Sequence, residues 1–153
     1  MGNAYPQQQV RWGSRLGRFL AYLIDGFLIS LVVGIFYAAG ATMAVLAIDA
    51  DKGTTAPTAY VGMALMVLGL VVAVLYRPWC WVKAGGQTIG YKAMGLRVVR
   101  LRDGGPIGWG QALGRFLSYI ISGIFGLGYI WILFDGRRQG WHDKLAGTVV
   151  ISV

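Results

Sequence analysis

The sequence has no glutamate, one histidine (His142) and one cysteine (Cys80). A lone cysteine excludes an intrachain disulfide and leaves a thiolate metal site without a second ligand. A lone histidine does the same for a histidine-based zinc site. Any Cys-His or Ser-His-Asp set would have to be gathered from unrelated segments, so no enzyme, metal or cofactor is expected. Charge is scarce as well. Only 13% of the 153 residues are charged, against roughly 25% in soluble domains.

What is present points to a membrane. Hydrophobic residues make up 56% of the chain and the mean hydropathy is +0.59. The net charge of +8 comes from 14 basic and six acidic residues. These basic residues border apolar runs, so the anionic inner leaflet explains them better than nucleic acid does. A cleaved signal peptide is disfavoured: the apolar run from Phe19 to Ile48 is far longer than the usual 7–15 residues and contains Asp25. The opening "MGNAYP" also fails the myristoylation pattern at Pro6.

The pattern predicts an all-α integral membrane protein with two long transmembrane helices. A third apolar run is expected to form a broken helical hairpin, alongside a small cytoplasmic β element. Residues 1–14 read as a disordered cytoplasmic N-terminus and 15–150 as one membrane domain. Its apolar runs are 19–48, 59–82 and 107–134, with a basic loop at 83–106 and a tail at 135–153. As a helix, the first run is about 45 Å long, more than a hydrocarbon core of roughly 30 Å. The second is expected to stop at Pro78, beside the interfacial residues Trp79 and Trp81. Leu96–Leu101 and Thr148–Val153 read as strands that pair. Lysine and arginine placement puts the N-terminus and the basic loop in the cytoplasm. If the third run crosses once, the tail with Arg137, Arg138 and Lys144 lies outside. A break near Gly123, Gly126 and Gly128 returns it to the cytoplasm, and the charge pattern favours that arrangement.

Two stretches are similar to each other at an offset of 97 residues. "LGRFLAYLIDGFLIS" (Leu16–Ser30) and "LGRFLSYIISGIFGL" (Leu113–Leu127) agree at eight of fifteen positions, among them Arg18 and Arg115. Transporters often contain such repeats; two interfacial helix starts would give the same match. Only the first copy carries a carboxylate, Asp25, where the second has Ser122.

On a helix, Arg18, Tyr22 and Asp25 share a face, so the arginine can reach the carboxylate through Tyr22 or a water. A charge at the centre of a membrane helix costs roughly 2.5–3.5 kcal/mol, which makes Asp25 a functional candidate unless it lies at headgroup level. Small residues recur every fourth position at Gly26, Ser30, Gly34 and Ala38, and again at Ser118, Ser122 and Gly126. Such stripes let helix backbones approach closely. "GGQTIGYK" has the glycine spacing of a phosphate loop, but Tyr91 stands where the lysine is needed. Gln87 and Thr88 more plainly cap a short helix. In "RRQGWHDKLAGT", Asp143 lies between His142 and Lys144, with Asp135 upstream; an exposed helix with local ion pairs is the plain alternative.

Three motifs in order resemble the RDD family of small bacterial membrane proteins, over about Arg15 to Val150. The family is named for an arginine at the start of the first span, an aspartate within it, and a second aspartate further on. "RFLAYLID" supplies Arg18 and Asp25, "GQTIGYKAMGLRVV" is similar to the basic-loop signature, and "RRQGWHDKLAGTVV" places the second aspartate at Asp143. Ile89 replaces the usual proline after "GQT". The resemblance implies transport of ligands not yet known, with sodium/proton antiport in some members.

The expectation is a cation- or proton-coupled transporter, or an accessory to one. In it Asp25 binds the cation or proton, Arg18 is its counter-ion, Tyr22 lies between them, and Asp143 is a gate or relay. Arg115, Asp135, Gln87 and Thr88 are secondary candidates. So few helices can scarcely enclose a path, which calls for a homo-oligomer or a partner membrane protein. Anionic lipid is expected at the basic loop. The rival is a non-transporting scaffold or regulatory subunit.

Overall fold

A computed structural model describes residues 11–49, 54–55, 57–123 and 127–153. The chain divides into two compact units, one of residues up to Asp25 and from Arg77 onward, the other Gly26–Tyr76. Two long helices run through this division, α1 (Arg15–Leu46) and α2 (Pro57–Lys83). Both are long and apolar enough to cross a membrane. Helix α1 starts where Ser14 caps it, its Oγ accepting from the Gly17 N–H at 2.8 Å. The helix therefore begins four residues before the apolar run.

In the Gly26–Tyr76 unit the two helices touch through glycine. A Cβ on Gly62 would lie 3.1 Å from the Ala44 nitrogen, and one on Gly69 would lie 2.8 Å from the Phe36 Cβ. Gly40 fits against Met66 in the same way. The close approach does not use the predicted stripe, since Gly26 and Gly34 have open space around them. Packing follows the glycines that face a neighbour, whatever their spacing. Phe27, Ile35, Val45, Tyr60 and Val67 point outward. A short β-pair, β1 (Ile48–Asp49) with β2 (Thr54–Thr55), lies between the helices in sequence.

The expected stop at Pro78 is overturned: α2 continues through it to Lys83. Proline removes one N–H and crowds the preceding turn, a loss that apolar spanning helices tolerate when neighbouring groups repair it. Pro78 is itself fully buried.

The other unit holds the short elements. They are α3 (Ile89–Ala93), β3 (Leu96–Arg100), α4 (Trp109–Gly123), α5 (Leu127–Ile130), α6 (Trp141–Leu145) and β4 (Thr148–Ser152). The predicted sheet forms, β3 and β4 pairing antiparallel with Leu96 opposite Ser152 and Arg100 opposite Thr148. Residues expected to be disordered extend it: the Gly13 N–H donates to the Val150 carbonyl at 2.9 Å, and Trp12 bridges Ile151. An open strand edge offers unpaired backbone groups, and Arg11–Gly13 use them. The core is Ala21, Trp81, Tyr91, Leu96, Val98, Ile107, Ala112 and Val150.

The third apolar run is not one helix. Helix α4 has 15 residues, about 22 Å at 1.5 Å per residue, too short to cross alone. Gly128 lies so close to α4 that a Cβ there would be 2.6 Å from the Ser122 Cα. The chain thus doubles back, as the charge pattern favoured. The returning limb, however, is one turn of α-helix and a 3-10 turn at Trp131–Leu133 rather than a second full helix. Gly126 of the predicted break lies outside the described residues.

Candidate functional site

Two buried carboxylates organise the unit, and Asp25 is buried as its place in the first helix suggested, although its partner is not the one expected. Asp143, wholly buried, is on the first turn of α6. Arg18 Nη1 donates to its Oδ2 at 2.8 Å, and Arg115 Nη1 pairs with its Oδ1. The Gly140 N–H completes the shell at 2.9 Å to Oδ2. Arg115 Nη1 also reaches the Thr148 hydroxyl at 2.5 Å, and Arg18 Nη2 the Val150 carbonyl at 3.3 Å. Charge-assisted bonds of this kind are about twice as strong as neutral ones. Burial pushes the Asp143 carboxyl up, but Arg115 and Arg18 outweigh it and hold the group well below the usual carboxylate range. An acid so held stays ionised. It is a lock rather than an exposed residue with local pairs.

Arg18 therefore takes Asp143 as its ion-pair partner, 125 residues away, where a bridge to Asp25 along the helix was expected. Asp25, 2% exposed, turns to α3. The Thr88 hydroxyl donates to its Oδ2 at 2.6 Å and the Gly90 N–H to its Oδ1 at 2.8 Å. Thr88 is the N-cap predicted for the short helix, its Oγ1 accepting from the Tyr91 N–H at 3.2 Å. Gln87 does not cap; its Nε2 donates to the Leu96 carbonyl at 2.7 Å. The contact between α1 and α3 leaves no room for a side chain at position 90, where a Cβ would collide with the Ala21 carbonyl.

Tyr22 lies under an arginine, though not Arg18: the Arg77 guanidinium carbon is 4.6 Å from its ring centre and 5.8 Å from that of Tyr119. Trp81, Tyr119 and His142 stack in a column, with centroid separations of 5.9 and 4.1 Å. Arg115 stands 5.0 Å over Trp81. Burial drives the His142 pKa down to about 3 despite the pull of neighbouring Asp143, so its ring is neutral. Asp135 belongs elsewhere. It accepts from Lys144 at 2.6 Å and from the Arg137 and Gln139 N–H groups, organising the turn before α6.

A cavity of about 640 Å³ opens beside these groups. Its wall includes Asp25, Arg18, Tyr22 and Thr88, together with Arg77, Trp81 and His142, which the sequence did not single out as site residues.

The structure also extends the internal repeat. Segments 87–100 and 139–152, which lie 52 residues apart, adopt the same local structure. Thr88 and Gly140 are both N-caps, with φ/ψ of −79/173° and −80/173°. Gln139 Nε2 donates to the Thr148 carbonyl at 2.7 Å, as Gln87 does to Leu96. Gly95 and Gly147 end the short helices at φ 59° and 61°, a conformation open to glycine. In the β3–β4 register Val98 pairs with its own repeat mate, Val150, which places a local twofold axis between them. The helix repeat fits the same relation. Asp25 accepts from the Gly90 N–H, and its mate Ser122 accepts at 3.0 Å from the N–H of His142, the mate of Gly90. The sequence signal was thin: Gln87/Gln139, Lys92/Lys144, Gly95/Gly147 and Val98/Val150 are the only identities in fourteen positions.

Comparison with known proteins finds relatives in several bacteria. The uncharacterized protein YxaI of Bacillus subtilis is 32% identical over 142 residues, 88% of this chain and 93% of that protein. An uncharacterized protein of Haemophilus influenzae is 25% identical over 98% of this chain and 84% of its own length. The proline-rich antigen of Mycobacterium leprae is 29% identical over 65% of this chain, which covers 41% of the antigen. No solved structure matches. Residues 13–147, a span that contains the two arginines, both buried carboxylates and the repeated caps, match the RDD family, and the chain belongs to it.

Proposed function

We propose that this protein binds a small solute in the bacterial cytoplasmic membrane and moves it with a proton, or serves a transporter as its accessory subunit. The lysine and arginine bias puts the N-terminus and the basic segment 83–106 in the cytoplasm. One observation carries the reading: a buried carboxylate, Asp25, borders a cavity of ligand size. Arg15, Arg18 and Arg77 share that wall, and their positive charge disfavours a sodium ion there. The internal twofold supports the same reading, because transporter sites lie at the interface of structural repeats. Arg18 and Asp143 then hold α1 against α6 and the sheet while Asp25 exchanges the proton. A second copy or a partner protein supplies the rest of the path.

The test is proton flux in proteoliposomes of the purified chain under an imposed pH gradient. Wild type conducts, and Asp25→Asn lowers the rate by about a hundredfold, the low end for loss of a proton-transfer group. Equal flux in the two proteins rejects the mechanism.

A scaffold or regulatory subunit is the second reading, and one observation favours it. Both oxygens of Asp25 and both of Asp143 bind other segments of the same unit. For a scaffold, Asp25→Asn lowers the melting temperature and no variant, wild type included, carries flux.

A further inference from the structure

The cavity walls combine two chemistries. Leu16, Phe19, Ile130 and Leu133 present hydrocarbon, while Arg15 and Arg77 bring positive charge. The third arginine on the wall, Arg18, is committed to Asp143. The one carboxylate there, Asp25, is bound by Thr88 and Gly90. No ion pair to Arg77 is found among the described residues; its guanidinium rests on the Tyr22 and Tyr119 rings. Positive charge is therefore in surplus.

Two buried donors add to it. Trp81 Nε1 and Arg18 Nε have no hydrogen-bond partner among the described residues, although both residues line the cavity and are 2% and 6% exposed. A buried N–H without an acceptor costs free energy that a bound oxygen would recover. A hydrocarbon occupant would leave both donors and the surplus charge unmatched. A small inorganic anion would match them and leave the apolar wall bare.

An anionic amphiphile satisfies both. Resting on the reading of this cavity as the binding site, we propose that it holds an anionic phospholipid. The phosphate meets Arg77, Arg15 and the two free N–H groups, and the start of an acyl chain lies along Phe19 and Leu133. This site is distinct from the general attraction of lipid headgroups to the basic segment 83–106. It makes the lipid either the solute moved or a fixed part of the site.

Native mass spectrometry of the full chain in neutral detergent tests this, with phosphatidylglycerol or phosphatidylcholine of the same chains as the probe. Phosphatidylglycerol is expected to bind about tenfold more tightly, the difference one charge-assisted contact supplies. Arg77→Ala removes that preference and Arg77→Lys keeps most of it. Trp81→Phe, which deletes the N–H and puts a smaller ring in the core, weakens phosphatidylglycerol at a temperature where the variant is still fully folded. Equal affinity for the two lipids overturns the proposal, as does a Trp81→Phe variant that binds like wild type. Inorganic phosphate that displaces phosphatidylglycerol at equal concentration assigns the site to a free anion and overturns the lipid. Lipid selectivity without proton flux sinks only the coupling; flux without selectivity sinks only the lipid.

Discussion

Arg18 and Arg115 stand at matching positions of a repeat and grip opposite oxygens of a single carboxylate, that of Asp143. The carboxylate has no counterpart in the first copy, where its mate is the buried Tyr91. Two guanidinium groups thus depend on one acid. Removing one member of a buried pair costs about 3–5 kcal/mol, because it leaves the other charge without compensation. Asp143→Asn is therefore expected to be the most destabilising single change in this unit. Arg115→Met falls within the same range. The double variant Asp143→Asn/Arg115→Met loses less than the two singles together, since residues in contact are not additive. Thermal melts in detergent measure all three; strict additivity means that the two groups do not act as a pair.

The sequence made this lock only half visible. Arg18, Asp25 and Asp143 are marked by their family motifs, and Arg115 by its likeness to Arg18 in the repeat. What periodicity supplied was the nearest partner on the same helix, which put Arg18 with Asp25. The actual partner of Arg18 comes from 125 residues away, and no helix spacing encodes that. The long helices and the β3–β4 pair were legible from apolar length and β-branched composition. The passage of α2 through Pro78 was not, because a local helix rule yields to burial there. Nor was the 52-residue repeat, whose caps are Thr88 in one copy and Gly140 in the other. Caps conserve a backbone geometry, and different residue types can supply it.

That repeat predicts paired effects. Gly95 and Gly147 end α3 and α6 at φ 59° and 61°. An L side chain in this region costs about 1–2 kcal/mol. Gly95→Ala and Gly147→Ala are expected to lower stability by similar amounts within that range. Neither contact is severe: the nearest atoms to an added Cβ lie 3.2 and 4.0 Å away. A difference above roughly 2 kcal/mol between the two variants, beyond that strain range, would deny that the two helix ends are equivalent.

Asp25 holds the start of α3, which Gly90 allows to approach α1. Asp25→Ala leaves the buried Thr88 hydroxyl and Gly90 N–H without an acceptor, a loss of about 1–3 kcal/mol for a buried donor. Asp25→Asn keeps one acceptor oxygen and is expected to lose less. Gly90→Ala drives a methyl into the Ala21 carbonyl and is expected to free α3 from α1 altogether. Hydrogen exchange over Thr88–Met94 reads each case. Protection equal to wild type in Gly90→Ala would mean that α3 is held by something other than this contact.

His142 sets the pH response of the unit. Its ring is buried between Tyr119 and Asp143, and its pKa falls from 6.5 to about 3. The unfolded chain therefore binds a proton at a higher pH than the folded one. Stability attached to this residue is complete above pH 6.5 and drains away as pH falls from 6.5 toward 3. Asp143 acts in the same direction but lower, below 3.8, because its carboxyl is depressed from that value. The melting temperature is expected to begin falling below pH 6.5, before any carboxylate is protonated in bulk. His142→Gln removes the upper part of that slope and leaves the lower part, since Asp143 remains clamped by Arg18 and Arg115. A melting temperature flat from pH 7 to 4 in wild type would show that the imidazole is hydrated in the folded protein, and the buried aromatic column would then be wrong.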